Sequence, residues 1–241
     1  MSKIGFILDF DGTIIDSISI VDKIQDAILK KYDINRTAEL DEKIEEKINE
    51  ILQGENRKKI GKPIMVAIFK MLGLNFFQRI NALLMANKMF KEEAPKISLI
   101  NGAQELFDFF DENQFPYIIA TTSSNAEVAD RLETKYPEFN EKLKDKIIAR
   151  DDVQQLKPHP ESINKASEMM NLPIKKCVVV GDMEADIELG KNSGAITIGV
   201  LTGFLNRKRF EEIGADFVLE SIAGIPGILG KIKKKINDGT K

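Results

Sequence analysis

The chain has 241 residues, 43% hydrophobic and 30% charged, which allows one large domain or two modest ones with a sizeable core and does not suit global disorder. With 35 Lys and Arg against 38 Asp and Glu, the net charge is −3, so no broad basic footprint for nucleic acid exists. A single cysteine, Cys177, rules out an intramolecular disulfide, and no stretch approaches the ~18 uninterrupted apolar residues of a membrane span.

The first predicted element is a buried strand over Ile4–Leu8, stopped by Asp9-Phe10-Asp11-Gly12-Thr13. That apolar run is too short for a signal peptide, and the expectation is a soluble cytoplasmic protein. From 17 to 97 the pattern turns helical. Ile18, Val21, Ile24 and Ile28 recur at helical spacing, as do Leu40, Ile44, Ile48 and Ile51. Apolar stretches at 64–72 and 76–90 follow, with Gly73 between them as a helix stop. Met65, Met71, Met85 and Met89 are read as filling gaps in the core of this segment.

Beyond it, strands are predicted at 117–120, 146–149, 177–180, 196–200 and 217–219, with helices at 102–113, 125–135, 160–171 and 184–193. Apolar strands without polar alternation, separated by helices, indicate a parallel sheet covered on both faces. The fold class is therefore α/β, a Rossmann-like parallel-sheet core formed by 1–16 and 98–241. An all-helical domain, 17–97, is inserted after the first strand. The tail from Lys231 holds five lysines and one Asp and reads as a solvated helix end.

Chemistry concentrates at strand ends. Asp9 and Asp11, released from a strand into a glycine turn, repel each other unless a cation or proton compensates, which points to a hard metal ion such as Mg2+. Two solvated acids in an Asx-type turn are the plainer alternative. The second segment, Thr121-Thr122-Ser123-Ser124-Asn125, offers hydroxyls and backbone N–H groups just before a helix, suited to phosphate oxygens as well as to capping. Lys157 lies in Lys-Pro-His-Pro, where the prolines stiffen its support; His159 reads as part of a helix entry. Gly181-Asp182-Met183-Glu184-Ala185-Asp186 repeats the pattern of a buried strand delivering acids. There Asp182 faces the same edge as Asp9, and Asp186 either holds water around a metal or pairs with Lys157.

These segments, in this order, resemble the haloacid dehalogenase-like hydrolase superfamily: Asp9-x-Asp11-Gly-Thr13 its first motif, Thr121 its second, Lys157 its third, and Gly181-Asp182-x-x-x-Asp186 its fourth. Thr202-Gly203-Phe204 and Gly214-Ala215-Asp216 look most like its phosphoglycolate phosphatase branch. The resemblance implies a helical cap and a Mg2+-dependent phosphatase acting on a small phosphorylated metabolite. In it Asp9 is the nucleophile and Asp11 the acid and base, while Thr121, Thr122 and Lys157 cradle the phosphate. It further implies that Asp9, Asp11 (through its carbonyl) and Asp182 hold Mg2+, with Thr13 and Asp186 in support. A β-phosphoglucomutase-like mutase and a pyrophosphatase share these motifs. A non-catalytic phosphate-binding regulator has little need for all four.

Substrate choice would lie in the cap. Arg57-Lys58-Lys59-Ile60-Gly61-Lys62-Pro63 looks like its specificity loop, with Lys59 and Lys62 gripping an acidic leaving group; an ordinary solvated loop fits the same residues. Met183 stands where related enzymes carry a small polar residue. The expected assembly is a monomer or homodimer, with no nucleic-acid or membrane partner.

Overall fold

The computed structural model describes residues 3–52 and 61–238, leaving aside the side chains of residues 45, 48–52 and 61–64. Lys59 therefore lies outside the described residues, as does the side chain of Lys62. The chain divides into two compact units, Met1–Ile18 with Ile97–Lys241, and Ser19–Lys96.

In chain order, β1 (Gly5–Leu8) is followed by four helices, α1 (Ile18–Lys31), α2 (Ala38–Leu52), α3 (Gly61–Met71) and α4 (Phe76–Glu93). α1 buries Ile20, Ile24 and Ile28, which recur along one face as the sequence spacing requires. Gly73, with φ +75°, sits in the turn after α3. α4 starts at Asn75, whose side chain accepts from the Gln78 N–H while the Gln78 side chain accepts from the Asn75 N–H, a reciprocal cap. Met71 departs from its expected core role. It is 37% exposed at the end of α3, where Phe69 takes the buried position.

The other unit continues with α5 (Ala103–Glu112), β2 (Tyr117–Ala120), α6 (Asn125–Leu132), α7 (Pro137–Leu143) and β3 (Ile147–Ile148). Then come α8 (Glu161–Met170), β4 (Cys177–Gly181), α9 (Glu184–Ser193), β5 (Ile196–Val200), α10 (Arg207–Glu212), β6 (Phe217–Leu219) and α11 (Ile225–Asp238). The six strands form one parallel sheet in the order β3-β2-β1-β4-β5-β6, the Rossmann-like core expected. Every residue of β1, β2, β4 and β5 is buried, the reason they read as unbroken apolar runs. On one face Ile7, Ile118 and Val179 pack with Ile163 and Ala166 of α8 and Leu189 of α9. On the other, Phe6 stacks on Phe110 of α5 with ring centroids 4.4 Å apart.

The differences from expectation have local causes. The helix predicted to 135 ends at Leu132, because Pro137 opens α7 and holds Tyr136 out of helical geometry (φ −133°). The α7 and α10 segments are too short for a clear helical period. The lysine-rich tail lies on α11, which buries Ile232 and Ile236 and pairs Lys235 with Asp216 at 2.7 Å. No helix among the described residues is long and apolar enough to cross a membrane.

Strand order decides where a ligand site can form. The chain leaves β1 toward β2 on one side and returns to β4 on the other, so the sheet's switch point lies between β1 and β4, outside their carboxyl ends. The register pairs Leu8 with Val180. Asp9 and Gly181 thus emerge side by side.

Candidate active site

The Asp9 backbone N–H donates to the Val180 carbonyl at 2.8 Å, extending the ladder one residue past β1 and fixing the start of the side chain. Lys157 Nζ lies 2.5 Å from Asp9 Oδ1 and 2.6 Å from Asp186 Oδ1, bridging two buried carboxylates. Asp186 Oδ2 accepts from the Met183 N–H at 3.2 Å, so both its oxygens are engaged. One carboxylate oxygen from each of Asp9, Asp182 and Asp186 lies within 4.8 Å of the other two.

Backbone holds Asp182 close. Gly12 adopts φ +73°, and a Cβ there or at Gly203 would run into the Asp182 carboxylate. The Thr202 hydroxyl donates to the Gly12 carbonyl at 2.6 Å, tying these two turns together. The Thr13 hydroxyl donates to Asp182 Oδ1 at 3.3 Å.

Asp11 stands apart from that group. Its Oδ2 accepts from the Ser123 hydroxyl at 2.7 Å, and Arg131 Nη1 reaches Oδ1 at 2.8 Å and Oδ2 at 2.9 Å. The carboxylates brought together are thus those of Asp9, Asp182 and Asp186, with Asp186 paired to Lys157. The Asp11 side chain is paired with a cation of its own, Arg131. Thr121 is buried after β2; its N–H donates to the Ile148 carbonyl and its Oγ1 accepts from the Ser123 N–H, both at 3.0 Å. Thr122 is exposed. His159 is exposed too, and its Nδ1 accepts from the Glu161 N–H at 3.3 Å, a contact of the helix entry.

Asp11 is matched by Arg131, while Asp9, Asp182 and Asp186 share one ammonium, Lys157. With all three carboxylates ionised, three negative charges would face one positive, an arrangement that a bound divalent cation would offset. Burial pushes the Asp9 carboxyl up to about 7 despite Lys157, with the Asp186 charge adding to the rise. Burial raises Asp182 well above the ordinary carboxylate range, reinforced by Asp9 and Asp186. Buried all-oxygen donors held in a glycine-walled cradle fit a hard divalent cation. Lys157 is held charged by its two carboxylates against the effect of burial.

A carboxyl whose native value is raised keeps a proton that the unfolded chain releases, so stability falls as pH climbs from the ordinary 3.8 towards about 7. Asp182→Asn removes one buried charge and eases Asp9. In the presence of a chelator, its urea midpoint should rise relative to that of the wild type across this interval. Equal midpoints for the two proteins throughout would contradict the shift.

Arg131 and Ser123 were not singled out as site residues from sequence. Ser123 lay within the polar run after β2, but a basic residue in the last turn of α6 carries no mark beyond ordinary dipole compensation.

The sequence profile of the haloacid dehalogenase-like hydrolases matches residues 6–200. Pyrophosphatase PpaX of Bacillus mycoides is 34% identical over 88 residues, 36% of this chain and 41% of that protein. The chain spans about half the length or less of the curated relatives it matches (39% of that from Anoxybacillus flavithermus, 52% of one from Bacillus cereus). A HAD family hydrolase from Deinococcus radiodurans, solved with bound phosphate and sodium, superposes with a TM-score of 0.76 at 18% identity, over 96% of each chain. A predicted phosphoglycolate phosphatase from Haemophilus somnus superposes with a TM-score of 0.62 at 15% identity, over 94% of this chain and 97% of that one. At such identities the structural likeness shows the fold.

Proposed function

The chain belongs to the haloacid dehalogenase-like hydrolase family, and from that premise we propose that it is a Mg2+-dependent phosphatase of a small phosphorylated metabolite, working through an aspartyl-phosphate on Asp9. One observation carries the reading. At the switch point of the sheet, Lys157 bridges Asp9 and Asp186 beside Asp182, a buried group of three carboxylates around one ammonium.

Asp9 attacks phosphorus in line as the bond to the leaving oxygen breaks and that oxygen takes a proton from Asp11. Water then cleaves the aspartyl-phosphate, giving its proton to Asp11, and Asp9 is restored with release of phosphate. Lys157, Thr121 and the backbone at Thr122 hold the transferring group, for which positioning and charge compensation are most of catalysis. Asp9, Asp182 and the Asp11 carbonyl would hold Mg2+, with Asp186 keeping Lys157 in place and Thr13 steadying Asp182. When bound, the ion supplies charge compensation to the phosphate and to the carboxylates. The helical unit is read as the cap, with Lys59 and Lys62 in its substrate-selecting loop. The single cysteine and the absence of a membrane-spanning helix among the described residues suit the cytoplasm.

A phosphoglycolate-like ester is the substrate class proposed. Inorganic pyrophosphate is the second reading, favoured by the name of the curated relatives. Release of inorganic phosphate with Mg2+ from 2-phosphoglycolate, pyrophosphate and β-glucose 1-phosphate separates them. Fastest release from 2-phosphoglycolate supports the first reading and from pyrophosphate the second. Conversion of β-glucose 1-phosphate to its isomer without phosphate release identifies a mutase and overturns both.

A further inference from the structure

Arg131 is 6% exposed, and its guanidinium lies against the carboxylate of Asp11, which is 32% exposed. Burying a guanidinium is expensive unless it is paired and hydrogen-bonded, so its place at the end of α6 needs a reason. Nη1 spans both carboxylate oxygens, at 2.8 and 2.9 Å, and lies 3.1 Å from Ser123 Oγ, which donates to Oδ2 at 2.7 Å. The three groups close a triangle. Nη1 fixes the plane of the carboxylate, and the Ser123 hydroxyl fixes its rotation.

The triangle also treats the two oxygens unequally. A carboxylate offers about four acceptor positions, two on each oxygen. Oδ2 receives both Ser123 and Arg131, whereas Oδ1 receives Arg131 alone. Among the described residues, the acceptor position left over is on Oδ1.

We infer that Arg131, with Ser123, is a positioning residue for Asp11, holding its carboxylate in one orientation and leaving Oδ1 as the oxygen that exchanges the proton with the leaving group. The inference rests on the role given to Asp11 in the proposed phosphatase reaction. Without the triangle, a partly exposed aspartate turns freely about two side-chain bonds, and a displacement of about 1 Å in a reacting group costs on the order of a hundredfold in rate. Acting through Asp11, Arg131 should on removal slow proton transfer and leave binding intact.

The test compares phenyl phosphate with 4-nitrophenyl phosphate, two esters of similar size. Phenolate is the poorer leaving group and needs the proton more. The ratio kcat/KM reports steps up to formation of the aspartyl-phosphate, so the later hydrolysis does not enter. Arg131→Met should lower kcat/KM for phenyl phosphate about tenfold more than for 4-nitrophenyl phosphate, a tenth or less of a general acid's full worth. KM should change little for either ester, and Arg131→Lys should recover part of the loss. Ser123→Ala, which leaves the ion pair in place, should shift the same ratio in the same direction and carries the test if Arg131→Met fails to fold. Equal losses on the two esters, a rise in KM at constant kcat, or a faster variant would each overturn the inference. Wild-type protein inactive on both esters would instead refute the phosphatase reading itself.

Discussion

Asp9→Asn should lower phosphate release by roughly 10⁴-fold or more, the scale on which removal of a covalent nucleophile acts. The fold should be unharmed. In the native chain the Asp9 charge is buried near Asp182 and Asp186, and burial has pushed its carboxyl up to about 7. An amide removes that charge and keeps an oxygen facing Lys157. Without metal, the melting temperature of the variant should therefore equal or exceed that of the wild type. Phosphate release within tenfold of wild type would remove Asp9 from the chemistry. A collapse in stability would mean that the loss of activity says nothing of its role.

Lys157→Met should act in the opposite sense on stability. Lys157 is 6% exposed and touches two carboxylates that are themselves 9% and 2% exposed. Removing one partner from a buried ionic group leaves uncompensated charge and costs about 3–5 kcal/mol. The cost should shrink at low pH, because Asp9, whose carboxyl burial already pushes up to about 7, then takes a proton in place of the ammonium. Urea unfolding near neutral pH and again in acid measures both statements. A change below about 1 kcal/mol at neutral pH would show that the bridge is not a principal support of the site. Activity should fall too, since the same ammonium is assigned to the phosphate.

The two variants separate what Asp9 and Lys157 do together. Each is buried, each touches the other, and both belong to the same sheet edge. Yet removal of the acid relieves repulsion and removal of the base exposes it. A site held together by apolar packing alone would answer both substitutions with similar, small losses.

Much of this architecture is legible in the residues. β1, β2, β4 and β5 are buried throughout, and burial on both faces turns a strand into an unbroken apolar run that is hard to miss. The acids at 9, 11 and 182 stand out because each interrupts such a run at its carboxyl end. What cannot be read is the rotamer each acid adopts. Asp11 turns to Arg131, which lies 120 residues away in the chain, and Asp186 turns to Lys157, 29 residues away. Those choices depend on which cation the fold delivers to which carboxylate. Arg131 illustrates the limit, since a basic residue ending a helix looks the same whether it faces water or a buried acid. Met71 illustrates another, because an apolar residue at helical spacing can still fall at a helix end, outside the packed face.

The central claim is that the acids after β1 and β4 hold one divalent ion between them. Anomalous diffraction from crystals grown with Mn2+, which favours the same oxygen ligands as Mg2+, tests it most directly. The account predicts a single strong peak in contact with carboxylate oxygens of both Asp9 and Asp182, near the ~2.1 Å typical of Mg2+ and oxygen. A peak that touches one of these residues without the other, or no peak at that edge of the sheet, would contradict it.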